Sequence, residues 1–84
     1  MISKAVWNKA QNLEVIKIFE NENRIEFVVG YPVTFHKKAE RIICNCTGHV
    51  VYDISACAFK VATALRGKGI PAKIKEAVEE EEVR

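Results

Sequence analysis

Hydrophobic and polar residues in the first third of the chain change from helical spacing to strand spacing. Residues 2–12 carry apolar side chains at a loose helical period, which predicts a short N-terminal helix. β-branched and aromatic residues then dominate from Leu13 to Phe19. Turn-forming residues follow at 20–23, and apolar residues alternate with polar ones from Ile25 to Val29. This order predicts a β-hairpin.

Two further short strands are predicted in the next part of the chain. They cover Val33 to His36 and Glu40 to Cys44, with Lys37 and Lys38 in the turn between them. Together with the hairpin they would form an antiparallel sheet of three or four strands. Such a sheet can bury one face against a helix.

The clearest helical pattern lies in the second half of the chain. Its apolar positions are Ile54, Ala58, Val61 and Leu65. Spacings of four, three and four residues place these side chains in one stripe, so we expect that stripe to be buried. Asp53 or Ser55 could cap the start of the helix, and Gly67 would end it.

A short C-terminal helix is predicted after Pro71, which suits a first helical turn. Its apolar face would consist of Ile70, Ile74, Ala77 and Val78. The acidic residues at 79–82 would lie at the negative end of the helix dipole, so we expect the last turn to fray. The acidic end could instead fold back on the basic helices.

These elements predict an α+β fold in one domain over residues 1–84. A small antiparallel sheet of hairpins would pack against one main helix, with short helices at both ends of the chain. At 84 residues and 9.5 kDa there is no room for a second core, and 49% hydrophobic residues exclude wholesale disorder. A chain of this size benefits from a metal or a partner without requiring one.

The net charge of +2 conceals a strong asymmetry. Residues 1–75 carry twelve basic and six acidic residues, whereas the acidic end at 76–84 carries five glutamates and one arginine. A locally basic surface raises the chance of a polyanionic partner, but the charge alone favours the alternative that the lysines only solvate two helices. The candidate phosphate contacts are Lys37, Lys38, Lys60, Arg66, Lys68, Lys73 and Lys75.

Three cysteines and a histidine lie close together between residues 44 and 57. The ligand set that they suggest is Cys44, Cys46, His49 and Cys57. Thiolates with an imidazole select zinc, and four such ligands close a tetrahedral structural site. The alternative is that each cysteine packs as a small hydrophobic residue, because free cysteine is among the most buried residue types.

The same region resembles a SWIM-type zinc finger. That family has a Cys-x-Cys pair at the end of a β-strand, a variable spacer, and then Cys-x-His at the opening of an apolar helix. Cys44, Cys46 and Cys57 match this pattern, and the resemblance covers about residues 24–66. It implies a structural zinc module that binds DNA or another protein and is not an enzyme.

The match departs from the family at its last ligand, because Phe59 occupies the position of the final histidine. We expect His49 to replace it, with His36 as a more distant candidate. A site of three ligands, or loss of the metal, are the other interpretations. Phe59 itself would pack over the edge of the sheet.

The basic residues are the physical basis for binding nucleic acid through a helical surface, and the resemblance implies that this nucleic acid is DNA. No spacing of Asn, Gln or Arg suited to base reading is present, so this binding would not be sequence-specific. The alternative function is a protein-interaction adaptor, with or without zinc, which could pair with itself as a homo-oligomer. A thiol enzyme using Cys44 or Cys46 with His49 as base is disfavoured, since Cys-x-Cys is not the redox spacing. No small-molecule substrate is indicated.

The chain contains no pattern typical of a signal peptide or a membrane span. Polar residues interrupt the N-terminal apolar positions, and no stretch approaches the ~20 apolar residues of a bilayer-crossing helix. An odd number of cysteines fits poorly with a disulfide framework. We therefore expect a cytoplasmic protein with no membrane partner.

Overall fold

The computed structural model describes residues 1–44, 54 and 57–84. The elements in chain order are α1 (Lys4–Gln11), β1 (Ile16–Glu20), β2 (Arg24–Val28), β3 (Pro32–His36), β4 (Arg41–Cys44), α2 (Ala58–Arg66) and α3 (Ala72–Glu79). The predicted α+β class is confirmed. Each predicted strand is present within a few residues of its predicted bounds.

The four strands form one antiparallel sheet in the order β1-β2-β3-β4. The β1–β2 turn is set by Asn21, whose side-chain oxygen accepts hydrogen bonds from the backbone N–H groups of Asn23 and Arg24 at 2.8 and 2.9 Å. This is the local side-chain-to-backbone bonding that favours Asn in turns. A bulge between Lys17 and Phe19 interrupts the β1–β2 register.

The two-residue period of the strands gives the sheet two chemically different faces. The inner face is buried and carries Ile25, Phe27, Val33, Phe35, Ile42 and Cys44. The outer face carries the residues between them, including Arg24, Glu26, Thr34, His36, Arg41 and Ile43. Strand β1 is an edge strand, and all five of its residues are exposed.

The main helix begins later than the sequence predicts. Helix α2 starts at Ala58 with Cys57 as its N-cap, so Ile54 lies outside it and capping by Asp53 or Ser55 is wrong. Residues 53 and 55 themselves lie outside the described residues. Gly67 ends the helix as predicted, with its N–H donating to the carbonyl of Thr63 at 2.7 Å.

Helix α2 is buried on more than one side. It packs against α1, α3, β3 and β4, which explains why its buried positions extend beyond a single stripe. The buried residues of α2 are Ala58, Lys60, Val61, Ala62, Thr63 and Ala64. Fully buried Thr63 satisfies its hydroxyl by donating to the carbonyl of Phe59 at 2.7 Å. The prediction of one buried stripe is therefore too narrow.

The acidic end of the chain is paired with the N-terminus. Ile2 and Val83 form a parallel bridge, with backbone hydrogen bonds of 2.8 Å from Ile2 to Glu82 and from Arg84 to Ile2. The N-terminal ammonium also pairs with Glu81. Helix α3 itself ends at Glu79, before the remaining acidic residues. The prediction that the acidic end folds back on the basic helices is wrong, because the backbone of Ile2 supplies its partner. None of the helices in the described ranges combines the length and apolarity that a bilayer span requires.

Candidate metal centre and basic surface

Cys44 is the last residue of β4 and points into the core. It lies opposite Val33 on β3, and both residues belong to the inner face of the sheet. Ile42 is buried while Arg41 and Ile43 are exposed, so the strand period fixes the inward direction of Cys44. Its side chain is buried, with 7% exposure.

Cys57 occupies the position immediately before α2. Its backbone is extended (φ −127°, ψ 116°), its carbonyl accepts from Val61 at 3.0 Å, and the residue is 5% exposed. The N-terminal amide groups of a helix favour negative charge nearby, which suits a thiolate at this position. A helix that begins near Ile54, as the apolar spacing predicts, would contain Cys57, whereas the structure places Cys57 at the N-cap.

The two described cysteines lie in one buried cluster. Both belong to the same hydrophobic core, and the elements that carry them, β4 and α2, pack against each other. The remaining predicted ligands, Cys46 and His49, lie outside the described residues. Over the described ranges alone, no group of three or more metal-ligating side chains is present. Burial of both thiols fits a metal site and also fits apolar packing.

Phe59 takes part in a small aromatic cluster. Its ring centroid lies 5.8 Å from that of Tyr31 at an interplanar angle of 38°, and the ammonium of Lys9 lies 4.8 Å from the Phe59 centroid. These are ordinary aromatic and cation–π geometries. Position 59, where the resembled family has its last ligand, therefore serves to pack α2 against the turn after β2.

The distant ligand candidate His36 is on the wrong side of the sheet. In the strand register it lies opposite Arg24 on β2 and Arg41 on β4, on the outer face, whereas Cys44 faces the core. Two side chains that project from opposite faces of a sheet cannot bind the same metal ion. The structure thus removes His36 from the candidate ligands.

Two of the predicted phosphate contacts have other roles. Lys60 is only 6% exposed, so its prediction as a surface residue is wrong. The helix is enclosed by neighbouring elements, and a lysine there buries its long aliphatic stem. The Arg66 guanidinium donates to the carbonyl of Leu13 at 2.7 Å and also to that of Ala10. It thereby satisfies carbonyls at the end of α1.

Two other predicted phosphate contacts, Lys37 and Lys73, form ion pairs with carboxylates. Lys37 donates to Glu20 at 2.8 Å, and Lys17 donates to the same carboxylate at 2.9 Å. The Lys37 contact, followed by that of Lys17, lowers the pKa of Glu20 to about 2. Lys73 forms an ion pair with Glu40. These partners compete with any phosphate for the two ammonium groups.

Three of the predicted phosphate contacts are exposed and unpaired within the described ranges. They are Lys38, Lys68 and Lys75. Lys38 follows β3, while Lys68 and Lys75 lie after α2 and on α3. The predicted basic helical surface is therefore smaller than the composition indicates.

Sequence reasoning missed the outer face of the sheet as a surface with its own chemistry. Arg24 and Arg41 flank His36 across three strands, and the neighbouring Phe19 is 43% exposed. The sequence does contain a pattern that indicates this surface. Polar and apolar residues alternate along β2 and β4, and in each strand an arginine precedes a buried isoleucine. Strand order, which the sequence left open, is what brings these residues into one row.

Comparison with protein-family models, with curated proteins and with solved structures found no match to this chain.

Proposed function

We propose that this protein is a small structural zinc module, similar in layout to SWIM-type fingers, that binds DNA without reading its sequence. The observation that carries the proposal is the position of Cys44 and Cys57. One lies at the end of a strand and the other at the start of a helix, both are buried, and they bracket the segment with Cys46 and His49.

The role of the metal would be to connect β4 to α2. Cys44, Cys46, His49 and Cys57 would supply three thiolates and one imidazole, which is a ligand set for structural zinc. A closed site of this kind contributes folding free energy directly. It would hold together the two ends of residues 45–56, which separate the sheet from its covering helix.

The DNA contacts would come from exposed basic side chains. Lys38, Lys68 and Lys75 are solvated and can reach phosphates, and the chain carries a net charge of +2. Phosphate contacts supply affinity and orientation but no base discrimination. The role is therefore binding, with no reaction catalysed.

Native mass spectrometry of the purified protein tests the metal. We expect one zinc per chain, lost in Cys57→Ser and in His49→Ala. His36→Ala is the matched control, because His36 lies on the opposite face of the sheet from Cys44 and its removal should leave the zinc bound. A folded wild-type protein without zinc would contradict the metal site.

Salt titration of duplex DNA binding tests the partner. Because phosphate contacts release counterions, log K should fall linearly with log salt, with a slope of about −0.9 for each contact. The double variant Lys68→Gln/Lys75→Gln should make this slope about 1.8 less negative. Absence of duplex binding at low salt would contradict duplex contacts through these lysines.

A protein-interaction adaptor is the second candidate, and exposed apolar residues favour it. Ile16, Ile18 and Ile43 are 46%, 61% and 42% exposed, and β1 is an edge strand. Edge strands with apolar side chains can pair with another chain, including a second copy. An apolar protein interface should respond little to salt, which distinguishes it from DNA binding.

A further inference from the structure

A row of basic and titratable side chains crosses the outer face of the sheet. In the strand register, Arg24 on β2 lies opposite His36 on β3, and His36 lies opposite Arg41 on β4. Neighbouring strands are spaced by about 4.8 Å, so the Cα atoms of the two arginines lie roughly 10 Å apart. Three adjacent strands therefore present this row to the same side.

Few carboxylates compete for this row. Glu26 shares the outer face, and its carboxylate lies 3.5 Å from Nε of Arg24. Nearby Glu20 and Glu40 are engaged by lysines. Within residues 1–44, 54 and 57–84, neither His36 nor Arg41 forms an ion pair. The row thus keeps donors for an external anion.

The next row of the outer face offers an aromatic surface. Phe19, Glu26, Thr34 and Ile43 follow one another across the four strands. Phe19 is 43% exposed, and the Arg24 guanidinium carbon lies 5.2 Å from its ring centroid. Nucleic-acid bases stack on both aromatic rings and guanidinium planes.

We infer that the outer face of the sheet binds single-stranded DNA, with phosphates along Arg24, His36 and Arg41 and a base stacked at Phe19. A single strand fits because its base faces are accessible, whereas in a duplex they are stacked on each other. The inference rests on the DNA partner of the proposed function and is independent of the zinc site. It adds a preference for single strands that Lys38, Lys68 and Lys75 do not supply.

A second copy of the chain fits this face less well. Face-to-face contact would bury two arginines and a histidine of each copy with Glu26 as their counter-charge on that face. Burial of incompletely paired charges is costly. A polyanion instead neutralises the arginines while remaining solvated on its outer side.

Fluorescence anisotropy with two probes tests the inference. One probe is a labelled oligothymidylate of about twelve nucleotides, within the range of single-strand site sizes. The other is a mixed-sequence duplex of the same length. We expect wild type to prefer the single strand by about fivefold to a hundredfold, the range for one stacked base. Arg24→Gln/Arg41→Gln should reduce this preference and make the single-strand salt slope about 1.4 less negative.

Two matched variants separate stacking and general charge. Phe19→Leu keeps an apolar side chain but removes the ring, so the preference should fall with no change in salt slope. Lys68→Gln/Lys75→Gln removes the same charge as the arginine pair from the loop after α2 and from α3, which lie outside the strands. It should weaken binding of both probes and preserve their ratio. Circular dichroism should confirm that every variant is folded.

The outcomes separate this inference from the proposed function. A wild-type preference for duplex, or a preference unchanged in both outer-face variants, would overturn the inference and leave the DNA partner standing. No binding of either probe would overturn both. A dimer that Phe19→Leu converts to monomer in sedimentation, without any change in probe preference, would identify the face as a protein interface and overturn the inference.

Discussion

The two faces of the sheet are built from similar sequence patterns but have different environments. Phe27 on β2 and Phe19 on β1 are phenylalanines on neighbouring strands, yet they are 1% and 43% exposed. Helix α2 contacts β3 and β4 and covers the inner face. The difference shows that strand alternation separates the faces, whereas the placement of the helix decides which face becomes the core.

The largest expected effect comes from truncating the two phenylalanines. Phe27→Ala should destabilise the fold by about 3–5 kcal/mol, since it leaves a cavity in the core. Phe19→Ala should cost less than about 1 kcal/mol, because solvent already reaches its ring. Urea unfolding measures both. Equal losses for the two variants would show that β1 is covered in solution.

The alternation of apolar residues was sufficient to predict the strands. Phe27 and Phe35 recur with buried neighbours two residues away, and Asn21 provides a turn with a defined hydrogen-bonding mechanism. The sequence could not place β1 at an exposed edge, because Ile16 and Ile18 look as suitable for burial as any core residue. The strand order puts β1 at the edge away from β3 and β4, which are the strands that α2 contacts, and this arrangement determines their exposure.

The helices and the site were less predictable. A hydrophobic stripe assumes one buried face, but α2 is packed on several sides, and this buries Lys60. The pairing of Ile2 with Val83 joins residues at opposite ends of the chain and leaves no local signal. The inward direction of Cys44 was not predicted, although it matches the alternation of buried and exposed residues along β4. The N-cap position of Cys57 could not be predicted, because the apolar spacing extends back to Ile54 and predicts an earlier start of the helix.

A smaller effect is expected from two glycines with positive φ. Gly69 has φ +94°, and an added Cβ would lie 2.9 Å from Cδ1 of core residue Ile25. Gly30 has φ +73°, with its nearest contact at 3.7 Å. Gly69→Ala should therefore cost about 2–3 kcal/mol, from backbone strain and overpacking. Gly30→Ala should cost about 1 kcal/mol, from strain alone.

Chemical denaturation of both glycine variants measures the loss of unfolding free energy. It checks whether an added methyl group destabilises the fold more on the covered side of the sheet. The decisive result is which of the two variants loses more unfolding free energy. A larger loss for Gly30→Ala would mean that the loop between α2 and α3 does not pack closely on Ile25.

The smallest expected effect is the acid response of Glu20, which ties exposed β1 to the turn after β3. The pKa of its carboxyl is lowered from 4.5 to about 2 by Lys37 and Lys17. The ionised form therefore stabilises the folded state. That contribution is fully present above pH 4.5 and is lost as the pH falls towards 2.

Thermal unfolding between pH 5 and pH 2 measures this response. Glu20→Gln should flatten the decline in midpoint across that range. Glu22→Gln is the control, because Glu22 is exposed in the β1–β2 turn and forms no ion pair within the described part of the chain. Identical acid profiles for wild type and Glu20→Gln would show that the two lysine contacts do not persist in solution.

The proposed zinc module requires that a metal join the end of β4 to the start of α2. The most direct test is the thermal unfolding midpoint of the wild-type protein, measured with one equivalent of zinc and again with excess chelator. Because a structural site contributes folding free energy, chelation should lower the midpoint by at least about 10 °C. The same midpoint under both conditions would contradict a structural metal and leave Cys44 and Cys57 as apolar core residues.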